Sequence, residues 1–314
     1  MNVLDNKRLV CGSNDAELIT FVVEVCRGLG IALDVVSDRE QLLLNAKNQQ
    51  VVLVDQNLDL MRDVAFRKSL FASSKTIYFA SLNYKEVIDC FASHNDLRCI
   101  LCRDSRLIAN ELKSVLKNLF SIGAPGIGRY LDSSAEIRSH NILEYRKKDA
   151  IFNEIKDDLR KLNYYEDLAE NFLMVTWELL MNAVFDAPVD ENGRAKYTDR
   201  IHEPNFSLQL TEQVELNYGW NDDSVVVSVK DCFGRIRQAG FIENVSRCIA
   251  QGADQVRFGP AGAGLGLYLI LYQANQIDYY VEKGRVTIAT GVIYVSKKRK
   301  DVVKRSKTVN FYYK

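Results

Sequence analysis

The sequence predicts a two-domain α/β chain: a parallel sheet covered on both faces over residues 1–122, a linker at 123–135, and a second layered α/β domain over 136–314. Three observations carry this expectation. Short apolar runs alternate with helical patterns through the first 120 residues, and such alternation builds a parallel sheet between helices. Gly123-Ala-Pro-Gly-Ile-Gly128 then breaks every periodic pattern, as linkers do. Beyond it, two amphipathic helical patterns precede β-branched runs and a glycine-rich loop.

Within the first domain the strand candidates are 8–12, 32–36, 51–54, 76–79 and 99–102, with helices between them and a last helix over 105–120. Asp55 follows the third strand, Cys11-Gly-Ser-Asn14 and Asp15 follow the first, and Arg103 follows the fifth. Five such units resemble a response-regulator receiver domain, a flavodoxin-like fold, in which Asp55 stands at the phosphoacceptor position. The resemblance also implies an acidic pair after the first strand to hold Mg²⁺. Here only Asp15 is acidic, so hard oxygen ligands are too few. Asp55 is therefore read as a pseudo-phosphoacceptor, and the domain as a pseudo-receiver offering a docking or dimer surface. Cys99 and Cys102 form a lone C-x-x-C inside a strand pattern, read as core and not as a zinc site.

In the second domain, Arg146 to Lys161 reads as one amphipathic helix, with Ile151, Ile155 and Leu159 along one side. From Asp167 a second helix carries Leu168, Phe172, Val175, Leu179 and Ala183 at helical spacing. Glu178 and Asn182 are four residues apart on it and share a face. Pro188 and Gly193 end that helix ahead of a polar insertion over 189–206. Strands are expected at 207–218 and 224–230, the second running into Asp231-Cys-Phe-Gly234. A lid containing Arg247 and Arg257 spans 235–258. Gly259-Pro-Ala-Gly262-Ala-Gly264-Leu-Gly266-Leu267 then opens an apolar helix, where free backbone N–H groups suit an anion. A Walker loop is excluded because Gly-Lys-Ser/Thr is missing, and a Rossmann loop because Leu267 stands where its third glycine would be. Residues 286–296 and 308–313 read as a terminal hairpin, with seven basic residues in the eleven from Lys297 to Lys307 near its tip.

Glu178-Leu-Leu-Met-Asn182, Asp231-Cys-Phe-Gly234 and the glycine-rich loop, in that order, resemble the N, G1 and G2 boxes of the GHKL ATP-binding superfamily. The fold implied is the α/β sandwich of the Bergerat ATPase type, a mixed or antiparallel sheet under helices. Mg²⁺ with ATP or ADP is the implied cofactor. Asn182 would hold Mg²⁺, and Glu178 would act as base on an attacking hydroxyl. Asp231 would accept from the adenine amino group, with Gly234 allowing close approach. The backbone of Gly262, Gly264, Gly266 and Leu267 would cradle the phosphates. Phe233 and Arg235 stand where the family has glycines, a departure that bears on the depth of the adenine pocket. The helix before the first box resembles anti-sigma-factor serine kinases. The chain also resembles a subgroup of bacterial regulators that join this domain to a receiver-like one. A histidine kinase would need a two-helix hairpin with its phosphoacceptor, and residues 135–163 leave room for about one long helix at 1.5 Å per residue.

The 41 basic and 41 acidic residues balance, so no bulk attraction to nucleic acid is expected. No apolar run reaches membrane-spanning length. Seven scattered cysteines and no signal peptide suggest a reducing, cytoplasmic setting. The expectation is a bacterial signalling protein that phosphorylates a serine or threonine of a partner, such as a sigma factor, an anti-anti-sigma factor or another regulator. A homodimer is a further expectation of this reading. The alternatives are a non-catalytic, nucleotide-dependent partner-switching scaffold and a degenerate histidine kinase.

Overall fold

A computed structural model describes residues 7–46, 51–58, 63–73, 75–103, 105, 107–132, 135–162, 166–200, 203, 205–251, 265–295 and 306–314. The chain divides into two units. The first is Met1–Ala124 with Ser306–Asn310, and the second is Pro125–Arg305 with Phe311–Lys314. The segment 306–310, expected in the second domain, therefore belongs to the first. No helix among the described residues is long and apolar enough to cross a membrane.

The first unit is built on β1 (Arg8–Gly12), β2 (Ala32–Val36), β3 (Val51–Asp55), β4 (Lys75–Ala80) and β5 (Cys99–Cys102), within a residue or so of the expected positions. All four neighbouring pairs are parallel, in the order β2-β1-β3-β4-β5. That is the flavodoxin-like doubly wound order. The strands were legible because a sheet buried on both faces needs continuous apolar runs; β3 and β5 are buried at every residue. Helices α1 (Ala16–Leu29), α2 (Arg39–Ala46), α3 (Val64–Ser73), α4 (Tyr84–Ser93) and α5 (Ile108–Leu119) fill the connections. Asp15 caps α1 through the amides of Glu17 and Leu18, and left-handed Gly30 ends it. Leu42 and Ala46 of α2 and Phe66 and Leu70 of α3 pack on Val10, Val52 and Val54, which alternate onto one face. Residues 309 and 310 pair antiparallel with β5. Beside them, Thr308 Oγ1 accepts from the Cys102 amide at 2.8 Å and donates to Glu111 of α5.

The second unit contains β6 (Glu136–Ile142), α6 (Lys148–Lys161), α7 (Glu166–Met181), a π turn (Asn182–Asp186), β7 (Val214–Trp220), β8 (Ser224–Asp231), α8 (Gln238–Gln251), α9 (Leu265–Gln273), β9 (Gln276–Glu282), β10 (Val286–Tyr294) and, from Phe311 on, the end of β11 (Thr308–Tyr313). The order β9-β10-β8-β7-β6 is antiparallel at every step. Helix α7 lies on β8 and β10, with Val175 seated on Gly291, where even a methyl group would come within 2.8 Å of the valine. Helices α6 and α9 flank α7, and α8 packs on α9.

Five expectations change here. Residues 135–163 hold a strand as well as a helix: β6 pairs residue by residue with β7. The strand expected at 207–218 begins only at Val214, after a 3-10 turn at Leu210–Glu212. The insertion at 189–206 is anchored and not merely polar, because Tyr197 and Phe206 are buried against each other and Phe206 against Phe185 and Tyr145. The lid carries α8, whose Phe241 and Val245 are buried. The terminal hairpin does not form, because β9 lies between β10 and β11. Most of the basic tip lies outside the described residues.

Candidate functional site

Two strand-end or helix-end clusters hold the candidate residues, one in each unit. In the second unit, Glu178 occupies the last turn of α7 and is half-buried. Its carboxylate lies against the bare Cα of Gly266 at the start of α9. A Cβ on Gly266 would overlap Glu178 Oε2 and come within 3.2 Å of Cδ. Burial raises the Glu178 carboxyl above the ordinary range, and the nearby Asp186 carboxylate adds to this. Asn182 opens the π turn, and its carbonyl accepts from the Ala187 amide at 2.8 Å, an i→i+5 bond. Such a turn holds more residues than the α-helical 3.6, so it rotates Asp186 back toward the Glu178 face. Asp186 is exposed over the residue as a whole, yet its carboxyl is crowded enough for burial to raise it. The Glu178 and Asp186 carboxyls thus lie close enough to act on each other, one turn either side of Asn182. Among the described residues, no group of three or more His, Cys, Asp or Glu side chains is placed to hold a metal.

Asp231 ends β8 and is buried. Its Oδ1 accepts from the amides of Phe233 at 2.8 Å and Gly234 at 3.4 Å, so the carboxylate shapes its own turn. The β8–β10 register sets Thr287 directly opposite, and the Thr287 hydroxyl and amide also bond the carboxylate. Burial raises the Asp231 carboxyl, and these bonds only partly counter it. Gly234 adopts φ +59°, with the β9–β10 turn packed against it. Gly266 and Leu267 open α9 as expected. Gly262, Gly264 and Arg257 lie outside the described residues. Arg247 faces solvent on α8 and pairs with Glu243 at 3.4 Å. Thr287 and Asp186 escaped sequence reasoning. Asp186 repeats the four-residue spacing of Glu178 and Asn182 and could have been found, whereas Thr287 is placed by strand register alone.

In the first unit, Asp55 is fully buried at the end of β3. Ser13 Oγ donates to its Oδ2 at 2.6 Å, and the Asn57 amide to its Oδ1 at 3.1 Å. Arg103 Nη1 donates to Oδ1 at 2.9 Å, while Arg103 Nη2 bonds Asp15, the cap of α1. The Cys11 thiol is pushed up to about 12, by burial first and then by Cys26 and the Asp55 carboxylate.

The first unit is thus a flavodoxin-like doubly wound unit whose strand ends carry two carboxylates bridged by Arg103, and the second is a layered unit of helices on an antiparallel sheet. A crystal structure of a response regulator receiver protein from Burkholderia phymatum matches 38% of this chain and 99% of its own, at 17% identity and a TM-score of 0.33. No family model matches the chain, and no curated protein does.

Proposed function

We propose that the chain is a signalling regulator whose second unit binds Mg²⁺ with ATP or ADP among the ends of α7, β8 and α9, and phosphorylates a serine or threonine of a partner protein. The observation that carries this reading is the bare Cα of Gly266 against the Glu178 carboxylate. It brings the end of the glycine-rich segment to the helix that bears Glu178 and Asn182. In this reading Asn182, aided by Asp186, orients the metal, which supplies charge neutralisation to the phosphates. Glu178 accepts the proton of the incoming hydroxyl, and its raised carboxyl makes it a stronger base than an exposed glutamate. Asp231 presents its remaining acceptor capacity to the base, braced by Thr287.

One observation favours the scaffold reading instead. Oδ1 of Asp231 already serves the Phe233 and Gly234 amides, and Phe233 adds bulk where the resembling family has glycine. Titration calorimetry with Mg-ATP and Mg-ADP tests the shared premise. Asp231→Asn keeps a carbonyl oxygen for the turn and removes the charge, and it should weaken binding at least ~10-fold, about 1.4 kcal/mol. If millimolar nucleotide neither gives heat nor raises the Tm, the nucleotide reading fails. If nucleotide binds, Glu178→Ala separates the two functions. A kinase keeps binding and loses transfer by roughly 10²- to 10⁴-fold. No transfer by the wild type to a captured partner leaves the scaffold.

A further inference from the structure

We propose that helix α8 is seated over a hydroxyl it leaves unbonded, that of Tyr279, so that α8 opens locally to let water reach it. Tyr279 of β9 is 1% exposed, and its hydroxyl has no hydrogen-bond partner among the described residues. A phenol hydroxyl both donates and accepts. Left unmet inside the fold, it costs free energy that is recovered once water reaches it. Ionisation offers no escape, because burial pushes the Tyr279 phenol well above its ordinary range. The ring stacks on Phe311 with centroids 5.2 Å apart and meets Phe241 of α8 edge to face at 5.7 Å. Both neighbours are hydrocarbon and supply no acceptor.

Strand register explains why the sheet does not meet the hydroxyl either. Side chains alternate across a strand, so Ile277 and Val281 share the face of Tyr279. Opposite these three on β10 stand Gly291, Ala289 and Thr287. The Thr287 hydroxyl already serves Asp231. The strands beneath are paired residue by residue from Gln276 to Glu282, so they hold together more firmly than the helix above. Helix α8 rests on three buried apolar side chains at helical spacing, Phe241, Val245 and Cys248. One further bond, from the Gln238 amide to the Tyr313 hydroxyl at 2.8 Å, ties its first turn down. An element with few holds and an unmet polar group beneath it is the one that opens first. Helix α8 begins four residues after Gly234, so each opening also frees the chain that leaves the Asp231 turn. This inference does not rest on nucleotide binding.

The test is native-state hydrogen exchange on the full-length chain without nucleotide. In wild type the α8 amides should exchange at least ~10-fold faster than those of β10, through an opening smaller than global unfolding. Tyr279→Phe keeps the ring and removes the unmet hydroxyl, so protection of α8 should rise at least ~5-fold. In a Phe241→Ala background the ring is already uncovered from the helix side. Adding Tyr279→Phe there should raise α8 protection by less than ~2-fold. Phe241→Leu takes the place of the alanine variant if the latter does not fold. Three results would each overturn the proposal. One is α8 amides as protected as those of β10. Another is unchanged or lower α8 protection in Tyr279→Phe, meaning that a buried water already meets the hydroxyl or that α8 opens without exposing it. The third is an undiminished gain in the Phe241 background.

Discussion

Gly234 closes the turn after β8 with φ at +59°, and an alanine there would set its Cβ 2.8 Å from the amide nitrogens of both Gly284 and Arg285 and closer still to the Glu282 carbonyl oxygen. Every one of these atoms is backbone. The turn that carries them is held by bonds from the Gly284 amide to the Gly234 carbonyl at 3.3 Å and from the Arg285 amide to the Glu282 carbonyl at 2.9 Å. A left-handed conformation costs an L-residue about 1–2 kcal/mol. Overpacking against atoms that cannot turn aside adds about 1–3 kcal/mol. Alanine also restricts the unfolded chain, which returns about 0.4–1 kcal/mol. Gly234→Ala should therefore destabilise the second unit by about 2–4 kcal/mol, a large part of the 5–15 kcal/mol typical of a domain. Gly193 gives the control: its φ is +77°, and nothing lies within 4 Å of a Cβ there. Gly193→Ala should cost only the conformational part, about 1 kcal/mol. Both tryptophans, Trp177 and Trp220, belong to the second unit, so their fluorescence follows its unfolding in urea. With a slope of about 2 kcal/mol per molar urea, the Gly234 variant should lose roughly 1–2 M of midpoint. A loss no larger than that of Gly193→Ala would refute the packing argument, since the two differ only in what a methyl group meets.

Two further outcomes follow from groups already described. The Glu178, Asp186 and Asp231 carboxyls are all raised, so the folded chain holds more protons at these positions than the unfolded one. Their contribution is present below the unfolded carboxyl range, near pH 4, and is lost as pH climbs through the raised folded values. Glu178→Gln should therefore raise the urea midpoint at pH 7 and raise it less at pH 4.5; an equal gain at both pH values argues against a raised carboxyl. Thr308→Val preserves shape but removes the oxygen that accepts the Cys102 amide and donates to Glu111. A buried polar group stripped of its partner costs about 1–3 kcal/mol. Hydrogen exchange at Cys102 should accelerate, and unchanged protection along β5 would mean that residues 306–310 are dispensable to the first unit.

The sequence by itself determined what depends on local pattern. β1 to β5 were legible because buried parallel strands are continuous apolar runs, and α6 and α7 because their apolar stripes repeat at helical spacing. Glu178, Asn182, Asp231 and Gly266 stood out because helix spacing and strand-end position are properties of the chain. Tertiary structure decided the rest. β6 reads Glu-Ile-Arg-Ser-His-Asn-Ile, with no alternation to betray a strand, and it exists because its backbone pairs with β7 along its whole length. β11 follows β10 in sequence but not in the sheet, since β9 intervenes. Thr287 meets Asp231 only because two strands share one register. Arg103 finds both Asp15 and Asp55, 88 and 48 residues away, only once the sheet has aligned three strand ends. Periodicity encodes which face a residue takes, but which residues from distant segments converge is set by strand order and register, and those follow from packing the whole chain.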